Sequence, residues 1–184
     1  MKLPYNKKME SMLPTAVIRR IVLTGFMGSG KSTVGPLLAQ RLSWRFEDAD
    51  HAIEAAAGCG IPEIFRQQGE QGFRQQEYRA IAGLAAEDHL VLALGGGAIE
   101  TEAVRTLLLS EPHTLLVHLE VELGTTLARC RGTEAERPIL ADSANLAARY
   151  QRRLPLYRMA HHSVAVDRLT PDEVVEEIAG LIAR

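Results

Sequence analysis

The chain has 184 residues, 46% of them hydrophobic and 24% charged, with a formal net charge of -2; that allows one well-buried core and argues against nucleic-acid or anionic-membrane partners. No apolar run approaches the roughly 20 residues that span a bilayer, and the opening MKLPYNKKMESMLPT is polar and broken by Pro4 and Pro14, unlike a secretion signal. Cys59 and Cys130 have neither metal spacing nor a redox motif, as reduced thiols of a cytoplasmic protein would.

A loose tail over 1–15 and a single domain over 16–184 are expected. Ile18 to Thr24 (IRRIVLT) reads as a strand, followed by the loop GFMGSGKST and a helix from Lys31 to Leu42. A short strand through Trp44, Arg45 and Phe46 leads into EDAD, then helical patterns cover Asp50 to Ala57, Pro62 to Gln68 and Glu70 to Ala86. LVLAL (90–94) is a short apolar run that ends abruptly in three glycines, as a buried strand would. Thr101 to Leu109 reads as helix, Thr114 to Leu119 as strand and Val121 to Cys130 as helix. RGTEAERPILAD (131–142) is charged and interrupted by Gly132 and Pro138, so a loop is expected there. A helix from Ser143 should stop at Leu154, because Pro155 disfavours helical backbone in the residue before it. SVAVD (163–167) is the last strand, and TPDE opens the final helix with Thr170 and Glu173 as a capping box around Pro171. Five strands alternating with helices predict a three-layer α/β domain whose ligands bind beyond the carboxyl ends of the strands. Gly25, Asp48, Asp50 and Gly95 to Gly97 all fall at such ends.

Gly25 to Ser32 satisfies G-x-x-x-x-G-K-[ST] between a strand and a helix. The glycines let successive N–H groups turn inward, and the helix begins with its positive dipole end toward the anion. Gly28, Ser29, Gly30, Lys31, Ser32 and Thr33 are therefore the ATP-binding candidates, with Lys31 for the β- and γ-phosphates and Ser32 for Mg²⁺. A chance match is expected in well under about one chain per hundred, given Gly at roughly 7% of residues. A non-catalytic nucleotide switch is the rival class, but no strand is followed by N-K-x-D. A motor ATPase would end an apolar strand in Asp, and neither LVLALGGG nor TLLVHLEVE does so. A small-molecule kinase is the leading reading.

On the acceptor side, Asp48 and Asp50 are two apart, so an extended segment would point both carboxylates to one face. One can hold Mg²⁺ through water while the other orients a hydroxyl or accepts its proton; the plain alternative is a polar turn with Asp50 as a helix N-cap. Arg74 and Glu77 are three apart on a helix, so Glu77 can steady the guanidinium. Gly95, Gly96 and Gly97 weaken a strand end and suit a loop that a ligand approaches closely. Arg137, Arg152 and Arg153 add guanidiniums suited to an anionic acceptor.

Together GFMGSGKSTVG, FEDADHAIE, GIPEIFRQQGEQGFRQQE, LALGGGAI, RPIL and RRLPLY resemble the shikimate kinases in order and spacing from about Val17 onward. The resemblance implies a nucleoside-monophosphate-kinase-like fold with five parallel strands in the order 2-3-1-4-5, and transfer of the ATP γ-phosphate to the 3-hydroxyl of shikimate with Mg²⁺. It implies Lys31, Asp50 and Arg137 as catalytic residues, and Ser32 with Asp48 (through water) for the metal. Asp50, Arg74, Gly95 to Gly97 and Arg153 would bind shikimate, with Arg129 and Arg137 on the ATP side. Arg137 would belong to a lid over about 131–142. The position that stacks on adenine falls at Arg129 or Cys130, and Arg129 is chosen. Pro36 stands where the family often has arginine, so a local cost or kink is expected there. His161-His162 lacks further clustered ligands and reads as an exposed turn. A cytoplasmic monomer is expected. Gluconate kinase is the nearest rival, yet it does not predict the D-A-D, F-R-x-x-E and G-G-G series together.

Overall fold

The computed structural model describes residues 17–130 and 143–182. The tail expected at 1–15, the lid expected at 131–142 and Arg137 with it lie outside these residues. Five parallel strands form one sheet in the order β2-β3-β1-β4-β5. β1 (Arg20–Thr24) is central and buried at every position, as its Ile-Val-Leu run dictates. It pairs with β3 (Leu90–Ala93) from Arg20↔Leu90 to Leu23↔Ala93, and with β4 (Thr114–Glu120) from Arg20↔Thr114 to Thr24↔His118. β2 (Arg45–Asp48) forms one edge and β5 (His162–Ala165) the other. The order reverses at β1, which places the crevice for ligands beyond the ends of β1 and β3.

Helix α1 (Lys31–Leu42) follows the phosphate loop and packs on the last helix, α7 (Pro171–Ile182). It runs through Pro36, which loses the bond to the Ser32 carbonyl but keeps its ring on the exposed face. The α7 capping box forms as its sequence specifies: Thr170 Oγ1 accepts from Glu173 N at 3.3 Å, while Thr170 N donates to Glu173 Oε2 at 2.7 Å. α2 (Ala49–Ala57) packs on α3 (Ile61–Leu84) around a small core of its own, Ile53, Ile64 and Phe73. α3 is two helical stretches joined across Gly69, whose backbone (φ 68, ψ -175) is not helical. The break expected between Gln68 and Glu70 is there. After β3 come a short 3₁₀ turn (Ala98–Glu100) and α4 (Glu102–Ser110); α5 (Leu123–Arg129) follows β4.

Two expectations for residues 143–162 fail. Helix α6 (Ser143–Tyr157) does not stop at Pro155. Leu146, Tyr150, Arg153 and Tyr157, spaced four, three and four apart, form its inward stripe. Tyr157 is buried, with its ring stacked on His118 at 5.2 Å and its hydroxyl donating to Gly96 O at 2.6 Å. That anchor holds the last turn past the proline, which sits exposed and forfeits one backbone bond. The second failure is the pair His161-His162: His161 is buried and His162 opens β5, instead of both lying in an exposed turn. His161 Nδ1 accepts from Leu116 N at 3.0 Å, and burial lowers its pKa, so it is a neutral core histidine. Among the described residues no group of His, Cys, Asp and Glu could hold a metal ion, and no helix is long and apolar enough to cross a membrane.

Candidate active site

A cavity of about 880 Å³ lies beyond the carboxyl ends of β1, β2 and β3. The site residues expected from the sequence line it, apart from Arg152, which stays exposed, and Arg137, which lies outside the described residues. At one end is the phosphate loop. Gly28 and Gly30 have positive φ (73° and 96°), which turns the chain so that α1 starts at Lys31. Lys31 Nζ lies across the loop, donating to Gly25 O at 2.8 Å and Phe26 O at 3.2 Å. The loop is braced from α5: Thr126 Oγ1 donates to Met27 O at 3.3 Å and Arg129 Nη1 to Gly28 O at 3.2 Å. Arg129 Nη2 also donates to Val166 O at 3.0 Å, so this guanidinium ties the loop to the segment after β5. Leu169, Pro171 and Val174 continue that wall with apolar surface.

The two aspartates do not share one extended segment. β2 ends at Asp48, which caps α2 by accepting from Asp50 N at 2.9 Å, and Asp50 lies in the first helical turn. The N-cap is thus Asp48, not Asp50, yet both line the cavity. Burial, then the nearby Asp48 charge, raises the pKa of Asp50; Lys31 pulls the other way. Gly95 lies directly under this carboxylate: a Cβ there would meet Asp50 Oδ1 at 2.5 Å.

The arginines from α3 and α6 converge over Gly97, where a Cβ would lie 3.0 Å from Arg74 Nη2 and 3.1 Å from Arg153 Nη2. Each guanidinium has its own carboxylate behind it. Arg74 Nη1 donates to Glu77 Oε2 at 2.7 Å, and Glu77 is only 2% exposed. Burial raises the Glu77 pKa against the opposing pull of Arg74. Arg153, 6% exposed, donates through Nε and Nη2 to Glu100 Oε2 at 2.9 and 2.7 Å. Glu100 also accepts from Arg152 Nε at 3.1 Å; burial opposes its charge, but the two arginines outweigh this and lower its pKa. Burial pushes the Tyr157 hydroxyl up to about 12, so it stays a donor on Gly96 O.

Glu100 and Tyr157 hold the cavity-lining Arg153 and Gly96, and sequence reasoning missed both. Tyr157 belonged to the RRLPLY run but carried no periodic signal once a helix end was placed at Pro155. Glu100 follows GGGAI, and only the three-dimensional approach of α6 makes it a partner for Arg153. Arg152, weighed with Arg153, points its ion pair at the same Glu100 and remains exposed.

The family model for shikimate kinase matches residues 27–183. A shikimate kinase of Salinibacter ruber is 40% identical over 174 residues, covering 89% of this chain and 82% of the relative. One from Persephonella marina is 37% identical, covering 90% and 99%. Among solved structures, the shikimate kinase of Acinetobacter baumannii in complex with shikimate superposes with a TM-score of 0.82 at 34% identity, covering 95% of this chain and 97% of that one.

Proposed function

The chain belongs to the shikimate kinase family, and from that premise we propose how its own residues perform the reaction. It transfers the γ-phosphoryl group of ATP to the 3-hydroxyl of shikimate, giving shikimate 3-phosphate and ADP, a step toward chorismate and the aromatic amino acids. The loop from Gly28 to Thr33 wraps the phosphates with backbone N–H groups, while the Lys31 ammonium exchanges its carbonyl partners for β- and γ-phosphate oxygens. Arg129 and the apolar wall of Leu169, Pro171 and Val174 take the adenosine side.

Arg74 and Arg153 grip the shikimate carboxylate. Their convergence over Gly97 carries this reading, because two guanidiniums that close repel each other until an anion lies between them. Glu77 and Glu100 each hold one guanidinium by part of its donor fork and leave the remainder for the ligand. Gly95 to Gly97 bring backbone to the ring. Asp50 accepts the hydrogen bond of the 3-hydroxyl and then its proton as the oxygen attacks the γ-phosphorus and the bond to the bridging oxygen of ADP breaks. A carboxylate with a raised pKa is suited to receive that proton.

The donor set fits Mg²⁺: hard oxygens only, from the Ser32 hydroxyl and from Asp48 through water, on one wall of the cavity. Bound there, the ion would neutralise charge on the phosphate oxygens. The protein is further proposed to act as a cytoplasmic monomer.

The reading is tested with Arg153→Ala and an acceptor whose carboxylate is replaced by a neutral hydroxymethyl group. Wild type should prefer shikimate strongly, since charged donors left unpaired penalise the neutral compound. Arg153→Ala should lose roughly 10- to 150-fold in kcat/KM for shikimate, at about 1.4 kcal/mol per decade, and much less with the analogue. Equal discrimination by both enzymes would remove Arg153 from the carboxylate site.

A further inference from the structure

Helix α6 carries one more arginine at the cavity that the reaction as described does not use. The inward stripe of this helix is buried Leu146, Arg153 and Tyr157 with half-buried Tyr150, fixed in rotation by Tyr150 Oη donating to Val121 O at 2.9 Å and by its ring meeting Phe26 edge-on at 5.3 Å. Arg149 is three residues after Leu146 and four before Arg153, so it borders that stripe. Its side chain lines the same cavity as Arg74, Asp50 and the triple glycine. Helical neighbours at this spacing stand side by side.

What distinguishes Arg149 is its pairing. Arg74 rests on Glu77, and both Arg152 and Arg153 rest on Glu100. Among the described residues, Arg149 makes no hydrogen bond and no ion pair. It is half-buried, so the charge is partly stripped of water, and among the described residues Glu100 and Glu70 act on it only from beyond ion-pair distance. Burial, then the Arg153 charge, disfavours its protonated form, and the groups that act on it are Arg153, Glu100, Arg152 and Glu70. None of these belongs to the phosphate loop; Glu70 and Glu100 both stand beside the acceptor arginines. An arginine held at such a cost on a cavity wall is relieved by an anion arriving there.

We infer that Arg149 is a third arginine of the acceptor site, contributing charge and a hydrogen-bond fork to the carboxylate of the incoming acceptor beside Arg74 and Arg153. This deepens the carboxylate-site reading above and rests on it. Arg149 is then a binding residue for the ground state and the transition state alike, because the carboxylate does not change during phosphoryl transfer. Its loss should appear in KM and leave kcat alone.

The test uses the full chain as wild type, Arg149→Leu, Arg149→Lys and, as a reference, Arg153→Ala, each with shikimate and with the neutral hydroxymethyl analogue. Arg149→Leu should raise the KM for shikimate about five- to tenfold, with kcat and the KM for ATP within about twofold. The KM for the neutral analogue should not change, and Arg149→Lys should recover part of the loss by restoring charge without the fork. An equal rise for both acceptors would mean a packing role, and a rise in the KM for ATP would mean a nucleotide role; either overturns the inference, as does an unchanged KM for shikimate. If Arg153→Ala loses carboxylate discrimination and Arg149→Leu keeps it, only the third arginine is withdrawn. If neither variant alters discrimination, the carboxylate site itself is misplaced.

Discussion

The two ends of the cavity are built on opposite plans. The phosphate end is one continuous turn of backbone, Gly25 to Thr33, seated on the main core through Phe26, Val34 and Leu38 and braced by single bonds from α5. The acceptor end is assembled from α2, α3, the glycine loop after β3, the 3₁₀ turn and α6, and its contacts are side-chain charges held in pairs. A polyanion with many equivalent oxygens can be gripped by fixed peptide dipoles, which cost little to bury because their N–H groups are aimed by the turn. An acceptor with one carboxylate and several hydroxyls needs charges at chosen points, and each buried charge then needs a partner. Glu77 and Glu100 are that requirement made visible.

The widest separation between the ends should come from Lys31→Ala. Positioning and charge neutralisation supply most of phosphoryl-transfer catalysis, and one well-aimed donor is worth roughly 100-fold or more. The variant should fold normally, bind shikimate as wild type does, and lose at least about 100-fold in kcat. Retention of more than about a tenth of the wild-type rate by folded protein would end the distinction, since the loop would then be acting without its lysine.

A single methyl group tests the other end. At Gly97 a Cβ would lie 3.0 Å from Arg74 Nη2 and 3.1 Å from Arg153 Nη2, so a head must give by a few tenths of an ångström, and both are held from behind by Glu77 and Glu100. A displacement of about 1 Å from productive geometry costs up to about 100-fold, and one of a few tenths correspondingly less. Gly97→Ala should therefore raise the KM for shikimate about tenfold while the KM for ATP stays put, as initial-rate kinetics with each substrate varied would read. A matching rise in both would show that the two ends share a frame more tightly than their construction suggests.

The same contrast explains what could be read in advance. The phosphate loop is local: its glycines, lysine and hydroxyls sit at fixed offsets between a strand and a helix, so sequence spacing alone carries the geometry. Gly69 was legible for a similar reason, as a glycine between two helical patterns. The acceptor end depends on approach between distant segments. Arg74 and Glu77 share a helix and announce each other, but nothing near Glu100 in sequence reveals that Arg153 will lie on it. Pro155 and His161 misled because local preference was overruled by burial: the Tyr157 anchor carries α6 beyond its proline, and Leu116 supplies the buried imidazole with a donor. Asp48 and Asp50 reached the right cavity by the wrong route, through a helix cap instead of an extended strand face.

The smallest effect tests whether the acceptor end is held at a cost to stability. Burial and the neighbouring Asp48 raise the Asp50 pKa in the folded protein. A carboxyl with a raised folded pKa contributes fully to stability below its unfolded pKa, near about 3.9. That contribution is lost as pH rises through the folded value, and above it the ionised group opposes folding. Asp50→Asn keeps the shape and removes the charge, and Asp48 still caps α2 because it accepts from the backbone N–H of residue 50, not from its side chain. The variant that has lost its proton acceptor should therefore unfold at a higher urea concentration than wild type at pH 7, with the difference shrinking toward nothing as the pH falls below about 4. The phosphate loop itself, Gly25 to Thr33, carries no acidic residue, so Ser32→Ala should show no such pH-dependent gain. A lower midpoint for Asp50→Asn at pH 7 would mean that attraction to Lys31 outweighs burial, and the carboxylate would then be a net support of the fold and not a charge retained for chemistry.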